Sequence, residues 1–322
     1  MIKYCLAGIG GAVLVGLIVW FGGRSIGADV LMAGWAIPAN IVIHLLQLTC
    51  AAGAWRLLVG DGALSLPAFL RLRVIRESIN SLLPVAQVGG PVISVRLMIA
   101  AGVNGAIAAA ATTLDITVEL AMQLLFTLSG LAVLHAEGID PDWARWLELG
   151  LAICALGLVI FVLAQRAGLM HVIERLLAKL QRIFPRLKLG SMQGLHLELM
   201  RLQRDRWILV KAALLQLLSW VGGSFEIYLG LRAMGQGVSL QQGFIIESLG
   251  MAARSAGFAI PGALGIQEGG FILACSLFGI APEVGLALSM LKRLREIIIG
   301  GVGLAMWQGT EMLRHFRARR QP

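Results

Sequence analysis

Long apolar runs with few polar interruptions dominate the chain. A run of about 20 apolar residues can cross a hydrocarbon core as a helix, and the alternation typical of transmembrane barrel strands is absent. The pattern therefore predicts an all-α polytopic membrane protein with about six full spans. Their approximate ranges are 4–21, 36–59, 105–134, 146–164, 207–231 and 282–308. For the first run the alternative is a signal peptide ending near Ala28, but its apolar core is long for one.

Two short segments, residues 77–91 and 254–270, interrupt the apolar pattern, one in each half of the chain. Each contains a proline, small residues, a glutamine and a Gly-Gly pair, so a helix should stop there. We predict that they are the breaks of two re-entrant hairpins, at 66–101 and 239–280, whose arms are too short to cross the membrane. The alternative is two ordinary surface loops. The broken-backbone positions are Pro84, Gly89, Gly90, Pro261, Gly262 and Gly265.

Lysine and arginine are distributed unevenly around these segments. Arginines precede and follow the first break, whereas the segment of the second hairpin has almost no flanking Lys or Arg. Because cytoplasmic loops retain Lys and Arg, we expect the first hairpin to enter from the cytoplasm and the second from the opposite side. The same rule predicts a multi-pass protein of the cell inner membrane with both termini cytoplasmic. Residues 165–206 place basic residues opposite an apolar helical face, which predicts an amphipathic segment on the inner leaflet.

The order of span, hairpin and long span recurs in the two halves with opposite orientation. Asp115 follows Pro84 at the same distance at which Lys292 follows the proline of the second break. Inverted repeats are common in transporters, which bind their substrate near the bilayer midplane where the repeats meet. We expect one integral membrane domain over 1–322. Its parts are repeat 1 at about 36–134, a basic interfacial linker at 165–206, and repeat 2 at about 207–308.

Composition agrees with a membrane protein and limits the function classes. The chain is 58% hydrophobic, with a mean hydropathy of +0.82. Only 14% of its residues are charged, whereas soluble domains are roughly 25% charged. A net charge of +9 could suggest nucleic acid. However, the basic residues mostly lie beside apolar spans and no recognition motif accompanies them. The four cysteines stand singly, so metal or redox chemistry is not expected.

Charged residues of both signs gather within the predicted spans and beside the two breaks. An intramembrane charge costs at least about 2.5–3.5 kcal/mol, so each should face a partner or a cavity. We favour a hydrated cavity; the alternative is ion pairs within the bundle, for example between Arg293 and Glu119. Arginine suits phosphate oxygens and the acids could receive an amine, so a lipid with a polar head group fits. The candidate binding residues are Glu119, Arg254, Glu268, Arg293, Arg295 and Glu296.

Several motifs of enzymes are missing from the sequence. It contains no HExxH, Walker loop or dinucleotide-binding fingerprint, and its five histidines are unclustered. We therefore expect no catalytic residues, no cofactor and no metal site. The expected partners are membrane lipids with a polar or anionic head group, not nucleic acid. A second copy of the chain or an enzyme of a lipid pathway is a further expected partner.

The two breaks carry a family resemblance. The first reads Glu77-Ser-Ile-Asn80-x-x-x-Pro84 with Gly89-Gly90, and the second reads Pro261-Gly262-x-x-Gly265-x-x-Glu268-Gly269. Together they resemble the lysylphosphatidylglycerol synthase transmembrane, or flippase-like, family. The Arg-x-x-Glu pattern at 293–296 looks similar to its branch of hopanoid-cluster membrane proteins called HpnL.

The resemblance implies movement of aminoacylated or other polar lipids between leaflets. It adds Glu77 and Asn80 to the candidate binding residues. Lipid-synthesising members carry a soluble transferase domain after the membrane region, and the printed sequence has none, so lysyl-lipid synthesis is not expected.

The sequence thus favours a lipid translocator that works by alternating access at a midplane head-group site. Two alternatives remain open. One is a non-transporting accessory protein of a lipid-modifying pathway, and the other is an ion-coupled transporter of small solutes.

Overall fold

The computed structural model describes residues 33–60, 62, 64–83, 89–139, 144–169, 194–257 and 260–319. Every long regular element in these ranges is an α-helix. The helices are α1 (Ala36–Val59), α2 (Leu66–Leu82), α3 (Gly89–Ala100), α4 (Gly105–Ala136), α5 (Ala144–Ala164), α6 (Leu195–Arg204), α7 (Arg206–Ala233), α8 (Leu240–Ala256), α9 (Ile266–Ser276) and α10 (Pro282–Arg319). Short 3₁₀ turns lie at Ala33–Trp35 and Pro261–Ala263, and a π turn at Gln165–Leu169 extends α5.

Four helices in the described ranges are long and apolar enough to cross a membrane. They are α1 with its preceding turn, α4, α5 with its π turn, and α7. The prediction of an all-α polytopic membrane protein is therefore confirmed. The first predicted span, 4–21, lies outside the described residues. The last predicted span lies within α10, a helix of 38 residues whose central part carries Lys292, Arg293, Arg295 and Glu296.

Each predicted break interrupts a helix. The first hairpin consists of α2 and α3, with 17 and 12 residues, and the second contains α8 and α9, with 17 and 11. At 1.5 Å per residue all four helices are shorter than a core about 30 Å thick. Pro84 and residues 85–88 lie outside the described part of the chain, as do residues 258 and 259.

Side-chain caps explain where several helices begin. Asn104 Oδ1 accepts hydrogen bonds from the backbone N–H groups of Ala106 and Ile107, at 2.9 and 3.3 Å, and so starts α4. Ser239 and Gln242 form a reciprocal capping box at the start of α8. These polar residues satisfy N–H groups that a helix leaves unpaired in its first turn.

The chain divides into two compact units. The first unit contains the described residues of Met1–Leu46, Arg71–Pro91 and Gly222–Pro322, and the second contains Gln47–Leu70 and Val92–Val221. The first unit thus contains both breaks. The division into two sequence repeats and a linker within one domain stays a prediction.

In the second unit, α4 packs against α5 and α6. Helix α6 is amphipathic and buries Leu195, Leu199 and Leu202, whereas the apolar face predicted for the linker lies at 169–183. A chain of amides connects it to α4: Gln203 donates to Gln165, which donates to Thr117. Residues 170–193 of the predicted linker lie outside the described residues.

In the first unit, α9 packs between α8 and α10, and α2 approaches α10 closely at two glycines. A Cβ atom on Gly303 would lie 2.9 Å from both Ser78 Cβ and the backbone oxygen of Val74. A Cβ on Gly300 would overlap the side chain of Leu82. Small residues at such spacing let the backbones of membrane helices come together.

We predict that Gly303→Ala destabilises the protein by about 1–3 kcal/mol because the added methyl group overpacks the contact with α2. The matched control is Gly301→Ala, since a Cβ there meets nothing within 4 Å. The control should be neutral or slightly stabilising, as alanine favours helix over glycine by about 0.5–1 kcal/mol. Thermal denaturation midpoints of the purified variants in detergent test the prediction. Equal midpoints for the two variants would show that α2 and α10 are not in close contact here.

Candidate functional site

The two breaks lie next to each other in the first unit. A Cβ atom on Gly262, which has a φ of 64°, would lie 3.5 Å from the backbone oxygen of Ser81 and 3.4 Å from Arg293 Nη1. Ser81 is in the last turn of α2, immediately before the first break. The left-handed backbone of Gly262 suits glycine, and it brings the second break against the end of the first hairpin's helix.

Asn80 holds the first break together. Its Oδ1 accepts a hydrogen bond from the backbone N–H of Gly90 at 3.0 Å, so the side chain reaches from α2 to the first turn of α3. A Cβ on Gly90 would overlap Asn80 and the backbone oxygen of Arg76, which explains the glycine. Asn80 thus satisfies an N–H group that has no helical partner.

Glu268 satisfies a backbone N–H group in the second break, as Asn80 does in the first, and it also pairs with an arginine. Its Oε2 accepts the backbone N–H of Gly265 at 2.6 Å, which caps α9. Its Oε1 accepts from Arg293 Nε at 2.9 Å, and the side chain is fully buried. One carboxylate therefore stabilises the broken backbone and an intramembrane cation together.

Glu296 on α10 lies between two arginines. Arg254 on α8 donates to Glu296 Oε1, and also to Gln267 Oε1 at 2.6 Å. Arg293 Nη1 donates to Glu296 Oε2 at 3.1 Å. Arg295 Nη2 lies 3.9 Å from the same carboxylate. Glu296 thus links α10 to α8, and Arg254 links α8 to α9 through Gln267, by charged hydrogen bonds that are stronger than neutral ones.

A second ion pair lies deeper in the same unit. Lys292 Nζ lies 2.7 Å from each carboxylate oxygen of Glu247, and the two side chains are 3% and 5% exposed. A Cβ on Gly223 would overlap Glu247, so this glycine gives the carboxylate its space. Lys292 also lies over the ring of Phe271, 5.3 Å from its centroid. Each charge is thereby kept out of contact with lipid.

The remaining charges of the site meet at a histidine. His44 on α1 lies between Glu77 on α2 and Glu226 on α7, and Glu226 also pairs with Arg295 on α10. A small pocket opens beside this group, with room for roughly one water molecule. It is lined by His44, Glu77, Ser78, Ser81, Glu296, Ile299 and Gly300.

Most of the predicted binding residues lie in this first unit. Arg254, Glu268, Arg293, Arg295 and Glu296 form one connected group, and Glu77 lies against His44 in the pocket. Glu119 is different, because it lies on α4 in the second unit. Within the described part of the first unit, Arg293 has Glu268 and Glu296 as ion-pair partners.

Sequence reasoning did not select His44, Glu226, Glu247 or Lys292 as binding residues. Lys292, Glu226 and Glu247 are recognisable as charges within apolar segments. His44 carried a weaker signal, a single histidine in an apolar run, since a histidine in that setting is often a core residue.

The lysylphosphatidylglycerol synthase TM region family matches residues 8–303 of the chain. The chain belongs to this family. The match covers both breaks and every residue of the charged group described above. Neither curated proteins nor solved structures gave a match. The closer resemblance to HpnL proteins stays a prediction.

We predict that Lys292→Met destabilises the protein by about 3–5 kcal/mol, because it leaves the Glu247 carboxylate buried without its cation. Adding Glu247→Gln should recover most of that loss, since the second change removes the charge. Lys211→Met on α7 is the control, because Lys211 is exposed and should change stability by no more than about 0.5 kcal/mol. Thermal midpoints of the unchanged protein, the single variants Lys292→Met and Glu247→Gln, and the double variant complete a double-mutant cycle. Additive effects of the two substitutions would contradict a direct ion pair.

Proposed function

We propose that the protein moves a polar-headed lipid between the leaflets of the cell inner membrane by alternating access. The observation that carries this proposal is the group of paired arginines and glutamates at the point where the two broken helices meet. Discontinuous helices in transporters mark the site that binds substrate. Membership of a family described by a lipid synthase supports lipid as the substrate.

The arginines of this group suit the anionic part of a lipid head group. Arg254 and Arg293 share Glu296, and a phosphate could replace that carboxylate on either guanidinium without leaving a charge unpaired. Two buried donors, Arg293 Nη2 and Gln267 Nε2, have no hydrogen-bond partner among the described residues. They are available to phosphate oxygens. The released carboxylate would then accept an amine or hydroxyl group of the same head.

In the described conformation, the pocket beside His44 is too small to hold a head group. Opening requires movement of the segments that border it. The end of α2 and the start of α9 can move more easily than the middle of a continuous helix, because a helix terminus leaves backbone groups without intrahelical hydrogen bonds. Lipid tails could remain in the bilayer while the head group passes between the moving segments.

In this proposal the protein is a transporter and not an enzyme, and it needs no cofactor. Its partners are membrane lipids, and both termini lie in the cytoplasm. The proposal is tested with the full chain in phosphatidylcholine vesicles that contain acyl-labelled phosphatidylglycerol. Reduction of the label by dithionite in the outer leaflet reports lipid that has crossed. Movement of the label above the rate in protein-free vesicles supports a translocator.

Vesicles in which no lipid crosses would contradict the proposed function. The accessory-protein alternative predicts that outcome together with capture of a lipid-modifying enzyme. The solute-transporter alternative predicts uptake of a small solute without lipid exchange.

We predict that Arg254→Gln lowers the rate of lipid movement roughly 10- to 100-fold. Loss of a charged hydrogen bond costs about 1.5–3 kcal/mol, and each 1.4 kcal/mol is tenfold. Arg232→Gln is the matched control, since Arg232 is exposed on α7 in the same unit and lies over the ring of Tyr228. Its rate should equal that of the unchanged protein.

Mass spectrometry of lipid that copurifies with each variant gives a second measurement. Phosphatidylglycerol should be depleted in Arg254→Gln and retained in Arg232→Gln. Equal lipid content and equal rates in both variants would remove Arg254 from the binding site.

A further inference from the structure

His44 has a carboxylate oxygen within ion-pair distance of each ring nitrogen. Nε2 lies 3.1 Å from Oε1 of Glu77, in hydrogen-bond geometry, whereas Nδ1 lies 3.4 Å from Oε1 of Glu226 without a hydrogen bond in the described conformation. The three residues come from α1, α2 and α7, so the histidine connects three helices of the first unit. We call His44, Glu77 and Glu226 the histidine triad.

The two carboxylates beside the ring of His44 favour an additional proton in the histidine triad. A neutral imidazole has one N–H group, and its other nitrogen is an acceptor. An ionised carboxylate is also only an acceptor. If His44 were neutral and both glutamates ionised, one nitrogen lone pair would face a carboxylate in the interior of a membrane protein. With the additional proton, either His44 is an imidazolium, or one of the carboxyl groups carries it.

Other charged groups surround the histidine triad without removing this preference. Arg295 on α10 pairs with Oε2 of Glu226, whereas Oε1 is the oxygen that faces His44. Glu296 lines the same pocket, and Lys292 lies one turn before it on α10. On α2, the buried Arg73 and Arg76 precede Glu77 by one turn and by one residue. None of these side chains lies between a ring nitrogen of His44 and the carboxylate oxygen that faces it.

Exposure decreases in order through the histidine triad. The side chain of Glu77 is 32% exposed, that of His44 is 10% exposed and that of Glu226 is fully buried. Glu77 also borders the pocket at the end of α2, beside Ser78 and Ser81. A proton can therefore enter or leave at Glu77 while Glu226 and His44 stay shielded.

We propose that the histidine triad is a proton-binding site that couples proton movement to lipid movement, an inference that rests on the proposed function. His44 Nε2 gives its proton to the Glu77 carboxylate, which becomes a neutral acid. The histidine is then neutral and keeps its Nδ1–H toward Glu226. When the end of α2 moves away, the Glu77 acid can release this proton to water on the side that has opened. Chains of His and acidic residues within membranes commonly relay protons in this way.

The coupling requires that proton occupancy and the position of α2 depend on each other. With the proton present, Glu77 is hydrogen-bonded to His44, and the end of α2 stays beside α1 and α7. Without it, the neutral imidazole has a single N–H group and can donate to only one of the two carboxylates, which weakens the attachment of Glu77. Since Ser81 at the same end of α2 contacts the second break, the movement reaches the arginines that would hold the head group.

The first experiment measures the leaflet distribution of acyl-labelled phosphatidylglycerol in vesicles under a pH gradient, with the membrane potential clamped by potassium and valinomycin. One pH unit corresponds to about 1.4 kcal/mol, so coupling of one proton to one lipid shifts the steady-state ratio about tenfold per pH unit. We expect this shift in the unchanged protein. We expect His44→Gln to give equal leaflets at any gradient, because glutamine cannot titrate.

His135→Gln is the matched control, because His135 lies in the second unit with a partly exposed side chain near Glu148. It should keep the tenfold shift. A leaflet ratio that ignores the gradient in the unchanged protein, while lipid still crosses, would overturn the proton coupling and leave the proposed function standing. Persistence of the shift in His44→Gln would overturn the role of the histidine triad.

A second experiment detects the proton itself and does not require lipid movement. Nitrogen-15 spectra of histidine-labelled protein distinguish an imidazolium from a neutral ring, and the His44→Gln variant identifies the His44 signal among five histidines. Infrared spectra of protein labelled with carbon-13 glutamate detect a protonated carboxyl group. We expect one of these two species near neutral pH, lost in His44→Gln. A neutral His44 ring together with two ionised glutamates would overturn the proton site, even if lipid moves.

Discussion

A charge within a membrane protein has to be paired, and this requirement organises the first unit. Four cations of α8 and α10 and five glutamates of α2, α7, α8, α9 and α10 lie within one region, and each of these cations has a carboxylate partner. Removing one partner from a buried pair costs far more than the pair contributes to stability. The helices can therefore separate only if each charge finds another partner. A substrate with charges of its own can provide those partners, whereas lipid tails cannot.

The same constraint applies to the backbone at the two breaks. A helix that stops in the membrane leaves N–H groups without partners, and these are costly in lipid. Asn80 satisfies one such group in the first break, and Glu268 satisfies one in the second. Glu268 also binds Arg293, so the cap of α9 and the charged group share one carboxylate. Any ligand that draws Arg293 away from Glu268 will alter the first turn of α9. Ligand binding at Arg293 and the backbone geometry at the start of α9 would thus both depend on the side chain of Glu268.

Local features of the sequence were sufficient to predict the helices and the two breaks, because apolar length, proline and glycine act over a few residues. The same residues showed that charges would meet near the breaks. Which charges pair could not be predicted, since His44 and Glu226 are far apart in the chain and only packing brings them together. Glu119 shows the limit of predicting spatial neighbours from spacing along the sequence. Its spacing from Pro84 matches that of Glu296 from Pro261, but it belongs to the second unit. Asn80 was expected to bind substrate, and in the described conformation it caps α3.

Exchange of partners within the charged group does not by itself give transport a direction. If a phosphate replaces Glu296 on Arg254, the number of paired charges is the same before and after, so the free-energy difference is small in either sense. Such a site moves a lipid down its own gradient from whichever leaflet holds more of it. A net direction needs a second species whose binding depends on the position of the broken helices. Within the described part of the first unit, the group beside the pocket that can gain and lose a charge without losing all its contacts is His44 with its two carboxylates. In the proposed cycle, the physical basis for direction is therefore the attachment of α2 through Glu77, and not the arginines that would hold the head group.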